Sequence, residues 1–303
     1  MDTFHQGSEG AGRRHSVGRD GPFVVEAVWD EDAPGGPGLL IQKHLSEHWA
    51  CPTESLNAFL GDVQRLQRIS HPHLLGILEV QLDGQGLHLT TEHLRAIPLS
   101  LLSGHRSPAP AWLSLEQVVL LFYQAVQGLK AAHLPEQGLD GIVHGALSPE
   151  HVLVTVDGGV KLKNFGIYRL GLLGQCAESS RWESEFSSPE QEAGLPPDFR
   201  SDVFALGRIV QGLLGQCRQV QEGKPIPVEL LELVHCCLDR NPEVRYPSAV
   251  ELLHALQFIL SDILPDPSAV RLDEWVWSVL RSGEAKNSEA LSPEALPRGA
   301  TGR

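Results

Sequence analysis

The sequence lacks any apolar run long enough to cross a bilayer, and its first residues, Met1 to Gly7, carry no basic segment followed by an apolar one. Neither a membrane span nor a secretory signal is expected. Cysteine is scarce. The five residues Cys51, Cys176, Cys217, Cys236 and Cys237 are odd in number and scattered, which suits reduced thiols better than a disulfide framework and makes the cytoplasm the expected compartment. Basic charge is also short, with 24 Lys and Arg against 38 Asp and Glu. The resulting net charge of −14 excludes a broad basic face for nucleic acid or an anionic membrane. Fourteen histidines are present without the paired spacing of a zinc site, so no metal is expected. No internal repeat is visible.

What is present is enough apolar content, 42% of 303 residues, to bury a full core. Residues 1–20, rich in Gly, Ser, Arg and His without apolar period, read as a disordered N-terminal tail. Phe23 to Trp29 and Leu39 to Lys43 are β-rich runs on either side of a Pro/Gly-dense turn, and Leu56, Phe59, Leu60, Val63, Leu66 and Ile69 recur at helical spacing. Leu74 to Leu82 and Leu87 to Glu92 form a hairpin-like pair. Beyond Ser107 to Ala111 the pattern turns helical, with segments over Leu115 to Ala132, Ser201 to Leu214, Pro227 to Leu238 and Pro247 to Leu260. Trp275, Val276, Val279 and Leu280 give the stretch 263–281 an amphipathic helical extension, and residues 282–303 read as a disordered tail or linker stub. The adjacent Cys236 and Cys237 read as helix packing rather than redox chemistry.

Residues 142 to 166 run Ile-Val-His-Gly-Ala-Leu-Ser-Pro-Glu-His-Val-Leu-Val-Thr-Val-Asp-Gly-Gly-Val-Lys-Leu-Lys-Asn-Phe-Gly. This run resembles the catalytic loop and metal-binding turn of protein kinases, His-Arg-Asp-Leu-x-x-x-x-Asn and Asp-Phe-Gly. Further anchors follow in order. Gly21-Pro22-Phe23 resembles the remains of the Gly-rich loop, Lys43 the strand Lys and Asp62 its helical partner. Ser188-Pro189-Glu190 resembles the end of the activation segment, Asp202 the start of the next buried helix, and Arg245 the partner of Glu190. The resemblance implies an α+β, bilobal protein-kinase-like fold over residues 21–262, with a small β-rich N-lobe holding one helix and a larger helical C-lobe. It also implies packing roles for Leu66, Ile77, His144 and Phe165, a hydrogen bond from the His144 loop to Asp202, and a structural ion pair between Glu190 and Arg245. Gly21-Pro22-Phe23, the loop Ile142 to His151 and Lys163 to Tyr168 are similar to the N-terminal kinase-like domain of TBC-domain-containing protein kinase-like proteins.

At the chemical positions the sequence departs from the kinase pattern. Ala146 stands at the base, Gly145 at the preceding Arg, Ser148 at the loop Lys, His151 at the metal-binding Asn and Asn164 at the metal-binding Asp. The nucleotide-pocket remnants are Gly21, Phe23, Val24, Ile41, Lys43, Asp62, Thr91, Glu92 and Leu153. Ile41 adds a branched side chain where an adenine would lie, and Val24 replaces a Gly of the phosphate loop. These departures lead to the expectation of a catalytically inactive pseudokinase, a scaffold or allosteric module for protein partners, with ATP binding weak or absent and no cofactor. The alternative is a divergent Ser/Thr kinase that transfers phosphoryl groups weakly with Lys43, Asn164 and a recruited Glu150 or Asp157, or a nucleotide-binding pseudokinase without transfer.

Overall fold

The computed structural model describes residues 14–31, 38–45, 51–84, 86–102, 112–135, 138, 140–170 and 185–282, so Cys176 and residues 283–303 lie outside the described part. The chain divides into two compact units.

The smaller unit is an antiparallel sheet of β1 (Arg14–Asp20), β2 (Phe23–Asp30), β3 (Gly38–Leu45), β4 (Ile77–Asp83) and β5 (Gly86–Glu92), ordered β1-β2-β3-β5-β4. β1 falls within the stretch expected as a disordered tail. Its residues are mostly exposed and hold one apolar side chain, Val17, so the strand is made by pairing with β2 rather than by its own pattern. The β1–β2 turn passes through Gly21, whose φ of 59° lies in the region that favours glycine. Pairing sets Val25 opposite Lys43, and Lys43 opposite Leu89. Because side chains alternate, Phe23, Val25, Ile41, Lys43, Leu89 and Thr91 share one face of the sheet. Val24, paired with His44, belongs to the other face.

The larger unit is built around the helix Leu115–His133, whose Val118, Val119, Phe122, Val126 and Leu129 are almost wholly buried. Ser114 and Gln117 cap it reciprocally, each side chain taking the other residue's backbone N–H. It packs against the helices Phe199–Gly215 and Ala249–Ile263, and the helix Val228–Cys237 packs on those two. A second sheet pairs β6 (Ala96–Pro98), β7 (Val152–Thr155) and β8 (Val160–Leu162). The helix α1 (Thr53–Leu66) groups by its contacts with this larger unit and packs against the 3-10 turn Ile167–Leu170. The amphipathic stripe near the C-terminal end of the described residues belongs to the helix Leu272–Ser282 and buries Leu272, Trp275, Val276 and Val279. No helix among the described residues is long and apolar enough to cross a membrane.

Candidate active site

The loop Ile142–His151 is held from beneath by one carboxylate. Asp202, in the first turn of the helix Phe199–Gly215, accepts from the backbone N–H of His144 at 2.7 Å and of Gly145 at 2.8 Å. His133 lies 2.9 Å from the same carboxylate. The Ala249 N–H donates to Nδ1 of His133 at 3.2 Å, so the His133 proton sits on Nε2 and points at Asp202. The carbonyl of Gly145 is fixed too, by the side-chain amide of Gln191 at 2.7 Å. Position 145 has to be glycine for two reasons. Its φ is 71°, and a Cβ there would lie 2.2 Å from the ring of Tyr168. Tyr168 fills the room that a side chain at this position would need.

His144 is fully buried and packs against Phe165 with ring centroids 4.5 Å apart and the ring planes tilted by 48°. It donates from Nε2 to the Lys163 carbonyl at 2.9 Å, and burial lowers its pKa against the opposing pull of Asp202. His144 is therefore a neutral packing residue. His151, also buried, donates from Nδ1 to the Ala146 carbonyl at 2.7 Å. Ser148, buried as well, precedes the 3-10 turn Pro149–His151, and its carbonyl accepts from the His151 N–H at 2.9 Å. Asn164 has a φ of 66° and is the one non-glycine residue with positive φ among the described residues.

The structure brings Glu190 and Arg245 together. Arg245, 3% exposed, sets Nη1 and Nη2 at 2.7 and 2.8 Å from the two carboxylate oxygens of Glu190. Its Nε donates to the Asp239 carbonyl at 2.7 Å and Nη1 also to the Arg200 carbonyl at 3.1 Å. Burial pushes the Glu190 carboxyl up, but hydrogen bonds from Arg245, its own backbone N–H, Ser201 and Ser188 outweigh it and hold the pKa at about 2.

Lys43 and Asp62, expected to pair, have other partners. The Lys43 ammonium, 4% exposed as a residue, sits 2.6 Å from the carboxylate of Asp20. Asp62, 2% exposed, is gripped by Arg65 of its own helix and by Arg169 of the turn after Gly166. Asp20, Arg65 and Arg169 were not among the expected site residues. Ion-pair partners leave no periodic trace, and the only pointer to Asp20 was its place directly before Gly21-Pro22. Val24 is an ordinary strand residue paired with Arg19 and His44, so nothing there requires glycine. Ile41, Thr91 and Glu92 lie on paired strands, with Ile41 opposite Thr91; Leu153, on β7, pairs with Pro98 and Lys161. Ile77 opens β4, and Leu66, at the end of α1, is buried. Of the two recruited carboxylates, Glu150 accepts from the Ser100 hydroxyl at 2.5 Å, and Asp157 takes the Thr155 hydroxyl within the β7–β8 turn. The Cys236 and Cys237 thiols are both pushed up by burial, which keeps them protonated and unreactive.

The protein kinase domain family matches residues 40–258, well over half of the chain. The chain belongs to that family. It is 27% identical over 246 residues to the serine/threonine-protein kinase PkaB of Streptomyces coelicolor, covering 72% of this chain and 56% of PkaB. Similarity to PknL of Mycobacterium tuberculosis is 26% over 250 residues, 74% of this chain and 60% of PknL. The crystal structure of the Mycobacterium tuberculosis PknI kinase domain superposes with a TM-score of 0.62 at 22% identity, covering 80% of this chain and 93% of that one. The fold is thus the protein kinase fold, with a β-sheet N-lobe and a helical C-lobe. The chain spans about half the length of the curated relatives it matches.

These likenesses correct several expectations. The relatives and the solved structure are bacterial protein kinases, which overturns the resemblance to TBC-domain-containing kinase-like proteins. The anchors used for that resemblance are packing and turn residues, and packing identifies the fold rather than a branch of it. The expectation of an inactive, non-enzymatic scaffold is overturned as well, because the family and the curated relatives are kinases by name. With it falls the expectation of no cofactor. That reading gave a few chemical positions more weight than the whole chain carries.

Proposed function

We propose that this chain is a divergent serine/threonine-type protein kinase domain that binds a nucleoside triphosphate at Lys43 and transfers its terminal phosphoryl group slowly to a protein hydroxyl. The observation that carries the reading is a buried lysine on β3 held by a carboxylate, in a chain of the protein kinase domain family. Lysine at this strand position steadies nucleotide phosphates in protein kinases, and an ammonium already paired to an anionic oxygen suits exchange for a phosphate oxygen. For divalent ions the fit is poor: Mg²⁺ demands a shell of hard oxygens, whereas positions 164 and 151 offer an amide and an imidazole.

Phosphoryl transfer depends mainly on positioning and electrostatics, with little covalent chemistry for the protein to perform. The positioning parts are in place: Asp202 and Gln191 pin the loop, and Glu190 with Arg245 braces the helices beneath it. In the reaction the substrate hydroxyl oxygen bonds to the γ-phosphorus while the bridging oxygen leaves with its electron pair on the nucleoside diphosphate. With Ala146 at the base position the hydroxyl proton passes to water, which makes the transfer slow. The substrates are proteins, and the charge of −14 speaks against nucleic acid. Cys51, Cys217, Cys236 and Cys237, all free, support a cytoplasmic setting. The test is transfer of labelled γ-phosphate from ATP to a generic Ser/Thr substrate. Incorporation that disappears with Lys43→Ala is expected; incorporation no greater than that of the variant overturns the reading.

A further inference from the structure

The carboxylate that holds Lys43 comes from the end of β1, at the turn into β2. Asp20 is the last residue of β1 and pairs across the turn with Phe23. Phe23 and Lys43 share a face of the sheet, so cross-strand pairing puts the Asp20 side chain on that face as well. There its carboxylate reaches the Lys43 ammonium at 2.6 Å, with the side chains only 11% and 5% exposed. Gly18 and Gly21, on either side of the acid, both have positive φ, and the β1–β2 register shifts between Ser16 and Gly18. The chain thus supplies, from the strand leading into its glycine turn, an anionic oxygen on the nitrogen that a phosphate would occupy.

We propose that Asp20 is a built-in competitor for the nucleotide's phosphate oxygens: it holds Lys43 when no nucleotide is bound, and a nucleoside triphosphate has to displace it. A carboxylate and a phosphate are both anionic acceptors, and one ammonium at this depth cannot serve both fully without like charges meeting. The residue therefore sets the nucleotide concentration at which the site fills, and it acts on the phosphates and not on the base. The inference rests on the reading that Lys43 receives a nucleotide's phosphates.

The test is equilibrium binding of ATP and of adenosine to the unmodified chain, Asp20→Asn, Asp20→Gly and Asp20→Asn combined with Lys43→Met. Two single variants are used because one could misfold, and a retained melting transition shows which remain folded. Removing the competing charge should tighten ATP binding by about tenfold, the effect of roughly 1.4 kcal/mol. Adenosine binding should stay unchanged, and the gain should vanish in the double variant. A merely structural Asp20 would weaken both ligands together. If the unmodified chain binds ATP and both folded single variants bind it no more tightly, or if adenosine gains equally, the inference fails and the nucleotide reading stands. If none of the forms binds ATP, both fail.

Discussion

Among the described residues two cations, Arg245 and Lys43, are buried, and they are held in opposite ways. Arg245 in the helical unit spreads its planar guanidinium over both oxygens of Glu190 and over backbone carbonyls of Asp239 and Arg200. Lys43 in the sheet is a point charge on a flexible stem, set against the carboxylate of Asp20 beside a glycine turn. The first arrangement uses a rigid fork in which every arm has a fixed receptor, and rearranging it would strand several groups at once. The second uses a compact, rotatable ammonium that imposes no such fixed geometry on its partner. Under the proposed function, the contrast separates a cation that holds the fold from one that would handle a ligand, although both are equally hidden from solvent.

The largest effect should come from breaking the fork. Arg245→Ala leaves the Glu190 carboxylate without its guanidinium and should cost ~3–5 kcal/mol, read as a fall of roughly 10 °C in melting temperature. Arg245→Lys should recover only part of this, since an ammonium cannot span both oxygens. A melting temperature within error of the unmodified chain would end the claim that this ion pair braces the unit.

The same pair predicts an acid limit. Glu190 has its folded pKa depressed to about 2 from an ordinary 4.5, so its contribution is fully present above pH 4.5 and is lost as pH falls toward 2. A shift of that size corresponds to at most about 3 kcal/mol, reduced by solvent screening at this partly open carboxylate. Melting curves taken across this window should fall steeply for the unmodified chain and less steeply for Glu190→Gln. Parallel curves would assign the acid sensitivity to other groups.

Lys43→Met sharpens the comparison from the other side. It should abolish phosphoryl transfer yet cost less stability than Arg245→Ala, because it takes one ammonium contact from Asp20, whereas Arg245→Ala strips two hydrogen bonds from Glu190 and leaves the Asp239 and Arg200 carbonyls unmet as well. Loss of stability equal to that of Arg245→Ala would erase the distinction between the two cations.

Much of the fold was legible because the helices of the larger unit carry broad apolar faces. The observed spans Leu115–His133, Phe199–Gly215, Val228–Cys237 and Ala249–Ile263 depart from the periodic segments by only a few residues at each end. β1 was not legible, since an exposed edge strand built from Arg14 to Asp20 has no alternation to betray it. With β1 went the partner of Lys43, and the pairing was assigned to Asp62, which Arg65 and Arg169 hold instead. Val24 was misjudged for a related reason. Without the register there was no way to see that it sits on the face away from Lys43 and in regular strand conformation. At the loop, residue types alone showed which chemical groups were missing. Of the hydrogen bonds that keep the loop in place, those to Asp202 were expected from the resemblance to protein kinases, whereas the one from Gln191, far along the chain, had no local signature.

The smallest effect concerns Asn164, which belongs to neither side of the contrast and tests whether a residue at a chemical position can be retained for its backbone. Its φ of 66° places it in the left-handed region, where the Cβ of a branched residue meets the neighbouring carbonyl. Asparagine tolerates this region better than most residues because its short polar side chain can bond locally. If the backbone is the constraint, Asn164→Val should lower stability by ~1–2 kcal/mol, whereas Asn164→Gly, which adopts the same φ without strain, should stay within about 0.5 kcal/mol of the unmodified chain. The two melting temperatures are read side by side. Equal losses for Val and Gly would mean that the amide side chain itself carries the stability; no loss for either would mean that the turn adjusts its φ freely, so that Asn164 is there for its oxygen and belongs with Lys43 among the ligand-handling residues.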